Sequence, residues 1–110
     1  MKILLDENVN KKLKALLPQF EINTVKEMNW LGKKNGELIS LAIQNNFKVF
    51  LSNDTKIKFQ QNLSKYDINF LIIISKDNNL DSIRPLIPEI INTLTTIQID
   101  LSQNRYYEIS

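Results

Sequence analysis

Residues 1–9 read MKILLDENV, a short apolar run that meets two adjacent acids, Asp6 and Glu7. A continuous apolar run of this length, followed by turn-prone residues, is typical of a fully buried strand, which we predict over Lys2–Leu5. A carboxylate at the end of a buried strand is costly unless it is paired, hydrogen-bonded or used for function. Asp6 is therefore either a structural cap or a functional group.

The rest of the chain alternates between predicted strands and helices. Apolar segments predict strands over Glu21–Val25, Phe47–Ser52 and Asn69–Ser75, and over the final segments TIQID (96–100) and RYYEI (105–109), which would suit a hairpin at a sheet edge. Helical spacing predicts helices over Val9–Leu17, Glu37–Gln44 and 80–94, and a short helix within 53–63. Pro18 would end the first helix, Asn35 would cap the second, and Pro85 and Pro88 would lie in a first turn.

Alternation of strands and helices predicts βαβ units, and hence a parallel sheet covered by helices on both faces. The 110 residues suffice for one domain, spanning 1–110. Right-handed crossovers place the carboxyl ends of all parallel strands along one rim, where ligands bind in open α/β sheets.

The composition excludes several classes of site. The chain has no cysteine and no histidine, so neither thiolate or imidazole metal sites nor a histidine-assisted nucleophile can be built. No apolar run is long enough for a membrane span, and the N-terminal residues do not resemble a signal peptide. We therefore expect no membrane association and a cytoplasmic location. The net charge of +2 is too small to indicate a polyanionic partner by itself.

Acids from three distant parts of the chain are expected at the rim. Asp6 and Glu7 follow the first strand, Asp54 comes two residues after Ser52, and Glu37 opens a helix at the same end of the sheet. Each acid has a simpler explanation as a helix cap or as a charge that complements a helix dipole. Capping, however, does not require the capped ends to converge.

Carboxylates that converge repel one another unless a cation joins them. Mg²⁺ or Mn²⁺ prefers oxygen ligands and acts on phosphate groups, so Asp6, Glu37 and Asp54 are candidate metal ligands and catalytic residues. Nearby lysines would steer the phosphates of a nucleic acid, although a solvated helix face is the plainer interpretation of each one. The lysines concerned are Lys11, Lys12, Lys33, Lys34, Lys56 and Lys58.

The segments MKILLDENV, NGELISLA and VFLSND, in this order, resemble the PIN-like superfamily, and most closely a small bacterial family related to VapC-type toxins. The resemblance implies a three-layer α/β/α sandwich and an Mg²⁺- or Mn²⁺-dependent ribonuclease, often a toxin restrained by an antitoxin. By this resemblance Asp6 matches the acid of the first strand. Asp54 matches the acid after the third strand, with Ser52 as the preceding hydroxyl residue.

The chain departs from that pattern in the helix that follows the second strand. VapC-type proteins place an Asp where this chain has Gly36, and the acid here is Glu37, one residue later. A further acid of larger PIN domains has no counterpart. Glu7 and Asn8 are candidate auxiliary ligands.

Two rival interpretations remain open. One is a PIN-like domain without nuclease activity that binds RNA or a protein. The other is a phosphoreceiver domain, which also carries an acid pair after its first strand and an Asp after its third.

Other segments are candidate contact surfaces. The segment RYYEI is a candidate edge for a homodimer or for an antitoxin, and Trp30 either stacks on a base or covers the core. Gln60 and Gln61 are candidate RNA contacts on a helix surface.

Overall fold

A computed structural model describes all 110 residues as an α/β domain with one five-stranded parallel sheet. The strands are β1 (Lys2–Leu5), β2 (Glu21–Thr24), β3 (Phe47–Ser52), β4 (Asn69–Ile73) and β5 (Tyr106–Ile109), in the spatial order β2-β1-β3-β4-β5. The α-helices are α1 (Asn35–Gln44), α2 (Ile57–Gln60), α3 (Leu80–Ile83) and α4 (Ile87–Ile99). Helices cover both faces of the sheet, so the three-layer α/β/α prediction is confirmed.

Two apolar clusters, one on each face, hold the layers together. The first joins alternate residues of the central strands to the segment after β1 and to α3 and α4, for example through Leu5, Leu51 and Leu94. The second joins the opposite side chains of those strands to α1 and α2, for example through Leu4 and Phe50. Successive strand residues point to opposite faces, which explains why the central strands β1, β3 and β4 are almost entirely apolar.

A register shift between β1 and β3 is the one irregularity of the central ladders. Lys2 pairs with Phe47 but Ile3 pairs with Val49, so β3 carries one extra residue, Lys48, near its start. Past this bulge the pairing is regular as far as Leu5 and Leu51. The residues that follow, Asp6 and Ser52, are therefore brought opposite each other.

The prediction of an α-helix over Val9–Leu17 is wrong in type. The structure has a 3₁₀ helix at Lys11–Leu16, with the Asn10 side chain accepting a hydrogen bond from the Lys12 N–H. Only six residues fit between this cap and the turn before Pro18, which favours the tighter helix. The predicted apolar face is nevertheless correct, because Leu13 and Leu17 are fully buried.

The C-terminal region differs from the sequence prediction in three respects. The single helix predicted over 80–94 is divided into α3, a 3₁₀ turn at Arg84–Leu86 and α4. The segment TIQID is not a strand: its first four residues form the last turn of α4, whose buried face is Ile90, Leu94 and Ile97. The segment RYYEI does provide a strand, but β5 pairs with β4 in parallel, so there is no terminal hairpin. A buried amide secures this edge: the Asn69 side chain donates to the Lys48 carbonyl and accepts from the Arg105 N–H.

Trp30 lies against the second cluster, and its ring packs edge-on to Phe47 with the ring centroids 6.0 Å apart. It therefore covers the core, as one of its two sequence interpretations predicts. None of the helices combines the length and the apolar character that crossing a membrane requires.

Candidate active site at the carboxyl ends of β1 and β3

An open polar groove lies at the rim, beyond the carboxyl ends of β1 and β3. These adjacent strands lead to helices on different faces of the sheet, so the crevice between them is the topological switch point where doubly wound folds bind ligands. The groove has a volume of about 500 Å³ and no hydrophobic lining residue. Its lining residues are Asp6, Glu7, Asn8, Lys33, Lys34, Asn35, Asp54, Gln60 and Gln61.

Asp6 is held at the base of this groove by two hydrogen bonds. Its side chain is almost fully buried, with the residue only 5% exposed. The Ser52 hydroxyl donates to Asp6 Oδ2 at 2.7 Å, and the Glu7 N–H donates to Asp6 Oδ1 at 2.8 Å. The Asp6 N–H in turn donates to the Leu51 carbonyl at 2.9 Å, which extends the parallel ladder by one residue. The sheet itself therefore fixes the position of this carboxylate.

Asp54 is connected to the same hydroxyl group. Its N–H donates to Ser52 Oγ at 3.1 Å, while its Oδ1 caps the following turn by accepting from the Lys56 N–H. Its Oδ2 accepts from the Asn35 side-chain amide at 3.2 Å. Ser52 thus joins the two acids, and Asn35 ties Asp54 to the start of α1.

Burial raises the pKa of Asp6 above its ordinary value, because a desolvated carboxylate is less stable in its charged form. The hydrogen bonds from Ser52 and Glu7 act in the opposite direction, and the negative charges of Glu7 and Asp54 raise the pKa further. Glu7 and Asp54 line the same groove as Asp6, so a cation bound there would reduce both this repulsion and the cost of charging the buried Asp6 carboxyl.

Glu37 does not join Asp6 and Asp54. It lies in the first turn of α1 but is absent from the groove lining, with 58% of its side chain exposed. Its Oε1 pairs with Lys33 Nζ at 3.1 Å. The helix start also differs from the prediction: Lys34 is the cap residue, and Asn35 is the first helical residue.

The auxiliary candidates have different roles. Ser52 is the hydroxyl group between the two acids, as described above. Glu7 is exposed and lines the groove together with Asp6. The carbonyl of Asn8 accepts hydrogen bonds from the side chains of Asn53 and Asn78, which gives this residue a structural role in joining two rim loops.

The six candidate lysines are divided among several surfaces. Lys33 and Lys34 line the groove. Lys11 lines a smaller neighbouring cavity that shares Asp6 and Glu7, whereas Lys12 lines a separate polar cavity beside α3. Lys58 pairs with Glu108 at 3.1 Å, and Lys56 is exposed near Asp54.

The donor atoms at the groove suit a hard divalent cation. No group of three or more Asp or Glu side chains is already arranged to hold a metal ion. Mg²⁺, however, commonly uses only one or two carboxylates and keeps several waters. Asp6 and Asp54 meet that requirement, since each oxygen that accepts one hydrogen bond retains a second lone pair.

Sequence reasoning missed the role of Asn35 as a partner of Asp54. Its position before an apolar helix indicated a cap, and only the packing of α1 beside β3 shows the alternative. Gln60 and Gln61 do line the groove, as their proposed contact with RNA requires.

In comparisons with known proteins, no family model, curated protein or solved structure matches this chain.

We expect Asp6→Asn to leave stability unchanged or higher at pH 7 in metal-free buffer. The substitution removes a desolvated charge but keeps groups that can hydrogen-bond to Ser52 and to the Glu7 N–H. Because the folded pKa of Asp6 is raised, the parent protein is penalised at high pH and recovers stability as the pH falls through that raised pKa towards 3.8. Urea unfolding from pH 7 to pH 4 should therefore show the advantage of the variant shrinking with acidity. A strong destabilisation at pH 7 would instead make Asp6 a structural residue.

Proposed function

We propose that this chain is a PIN-like, Mg²⁺- or Mn²⁺-dependent endoribonuclease that acts in the cytoplasm. The observation that carries the proposal is the pair Asp6 and Asp54, joined through Ser52 at the switch point of the sheet. A buried acid with a raised pKa, next to a second acid in an open polar groove, is typical of functional sites. The resemblance of the segments around these residues to PIN-like proteins supplies the choice of ribonuclease.

The reaction would be hydrolysis of a phosphodiester bond. Water oxygen forms a bond to phosphorus, the bond from phosphorus to the leaving ribose oxygen breaks, and that oxygen takes up a proton. A bound divalent cation supplies polarisation of a phosphoryl oxygen and activation of the water. Asp6 and Asp54 would hold the cation, while Ser52 keeps the Asp6 carboxylate oriented.

The lysines of the groove would bind the RNA backbone. Lys33 and Lys34 lie on the same groove as the two acids, so phosphates that they attract are brought to the cation site. Toxin activity restrained by an antitoxin protein is the biological setting that the resemblance favours, and a homodimer through the edge strand β5 fits the same proposal.

We expect Asp6→Asn and Asp54→Asn each to reduce RNA cleavage at least about 100-fold in Mg²⁺ or Mn²⁺, because each removes a ligand of the cation. Glu37→Gln is the matched control. It removes a carboxylate that does not line the groove and leaves both proposed cation ligands in place; because its exposed ion pair with Lys33 is weak, the rate should change by less than about threefold. The measurement is cleavage of end-labelled RNA, with circular dichroism to confirm folding.

Equal loss in all three variants would show that Glu37 belongs to the site. No cleavage by the parent protein, with no binding of Mn²⁺, would favour the alternative of a PIN-like domain without nuclease activity. That alternative has support of its own in the absence of Glu37 from the groove.

We expect Gly36→Asp to strengthen Mn²⁺ binding and to raise the rate of cleavage. A Cβ atom at position 36 would lie 3.4 Å from Gln61 Oε1, a groove residue whose flexible side chain can move slightly. The new carboxylate would stand beside the groove near the N-terminus of α1, where negative charge is also favourable. Gly36→Asn, which has the same shape without the charge, is the control. Binding is measured by calorimetry, and equal effects of Asp and Asn would contradict the prediction.

A phosphoreceiver domain is the second candidate, because the strand order β2-β1-β3-β4-β5 is also that of flavodoxin-like receiver domains. Such a domain needs a hydroxyl residue and a lysine at the ends of two different later strands, whereas here Ser75 and Lys76 stand together after β4. We therefore expect that incubation with acetyl phosphate and Mg²⁺ leaves the mass of the protein unchanged. A gain of one phosphoryl group, lost in Asp54→Asn, would favour the receiver function over the nuclease.

A further inference from the structure

The segment 55–66 borders the groove and combines basic and aromatic side chains. It contains three lysines, Lys56, Lys58 and Lys65, and no acidic residue. It also contains two aromatic residues, each with a lysine ammonium near its ring: Lys58 Nζ lies 5.3 Å from the Phe59 ring centroid, and Lys65 Nζ lies 5.3 Å from that of Tyr66. Lysines interleaved with aromatic rings are typical of surfaces that bind single-stranded nucleic acid.

Phe59 is the unusual member of this segment, because 80% of it is exposed. In α2 the buried residue is Ile57, which packs into the cluster beneath. Phe59 follows two positions later, about 200° around the helix, and so points away from the core. The core therefore does not require a phenylalanine here.

The position of Phe59 relates it to the groove. The next two residues, Gln60 and Gln61, line the same groove as Asp6 and Asp54. Tyr66, also in this segment, donates to Gln61 Oε1 at 3.3 Å, which ties the segment to the groove wall. Phe59 itself is not part of the groove lining, so a strand of RNA bound at Lys33 and Lys34 would have to extend past Gln60 and Gln61 to reach the exposed ring.

We infer that Phe59 is a stacking platform for an unpaired base of single-stranded RNA, with Lys56 contacting the backbone beside it and Lys58 doing so in exchange for its exposed ion pair with Glu108. This inference rests on the proposed ribonuclease function and narrows its substrate to unpaired RNA. A base inside a duplex has both faces covered by its neighbours and cannot stack on Phe59. Stacking on this ring would not depend on which base is present, since every base presents a flat π-surface.

The test measures RNA binding in metal-free buffer with EDTA, so that no cleavage occurs. The probes are a fluorescent, unstructured oligoribonucleotide and an abasic oligomer with the same length and number of phosphates. We expect Phe59→Ala to weaken binding of the oligoribonucleotide roughly 5- to 100-fold and to leave binding of the abasic oligomer unchanged. Phe59→Trp should retain or improve binding of the oligoribonucleotide.

Ile99→Ala is the matched control. Ile99 is 82% exposed but belongs to α4, on the opposite face of the sheet from α2, so its loss should not change binding of either probe. An unchanged affinity in Phe59→Ala, or an equal loss for both probes, overturns the inference and leaves the nuclease proposal standing. A parent protein that binds neither probe also overturns it. The cleavage assay with Asp6→Asn judges the nuclease proposal separately.

Discussion

The hydroxyl group of Ser52 organises the rim of this sheet by serving two acids at once. It donates to Asp6 Oδ2 and accepts from the Asp54 N–H, so the side chain after β1 and the loop after β3 share one hydrogen-bonding centre. Asp6 has no ion-pair partner and is almost fully buried, so the hydrogen bonds that its carboxylate accepts from Ser52 and from the Glu7 N–H replace its hydration. These hydrogen bonds do not fully compensate for the cost of desolvating the carboxylate, since the pKa of Asp6 remains raised. The backbone of a central strand thus holds this carboxylate where its charge is costly to the fold, which is the physical basis for proposing a functional role for it.

The convergence of Asp6 and Asp54 was predictable from the sequence because it depends only on strand order and polarity. Both acids follow strands too apolar to be anything but central, and central parallel strands end at the same rim. The segment TIQID was not predictable in this way. Its alternating Ile97 and Ile99 suit a strand, but Ile97 also continues the helical spacing of Ile90 and Leu94. The packing of α4 on the sheet favours the helix over the strand, because the helix buries Ile97 and leaves Ile99 exposed.

Glu37 shows how far the sequence could define the site itself. The prediction placed it at the correct end of the sheet and in the first turn of the correct helix. Successive residues of an α-helix, however, are about 100° apart around the axis. Position 36 faces Gln61 and the groove, so position 37 is turned away towards Lys33 and solvent. A difference of one residue therefore decides whether a side chain in the first turn of α1 faces the groove or forms a surface ion pair. Neither the composition nor the charge of the sequence reveals this difference.

That offset also changes the charge of the groove. Lys33 lines the groove but is paired with Glu37, whereas Lys34 lines it without an ion-pair partner. An incoming phosphate would have to compete with Glu37 for Lys33, although an exposed ion pair of this kind is weak and screened by salt. Glu37 therefore affects this groove through Lys33. It partly neutralises Lys33, whereas Asp6 and Asp54, the acids proposed to bind a cation, are fixed by the central strands.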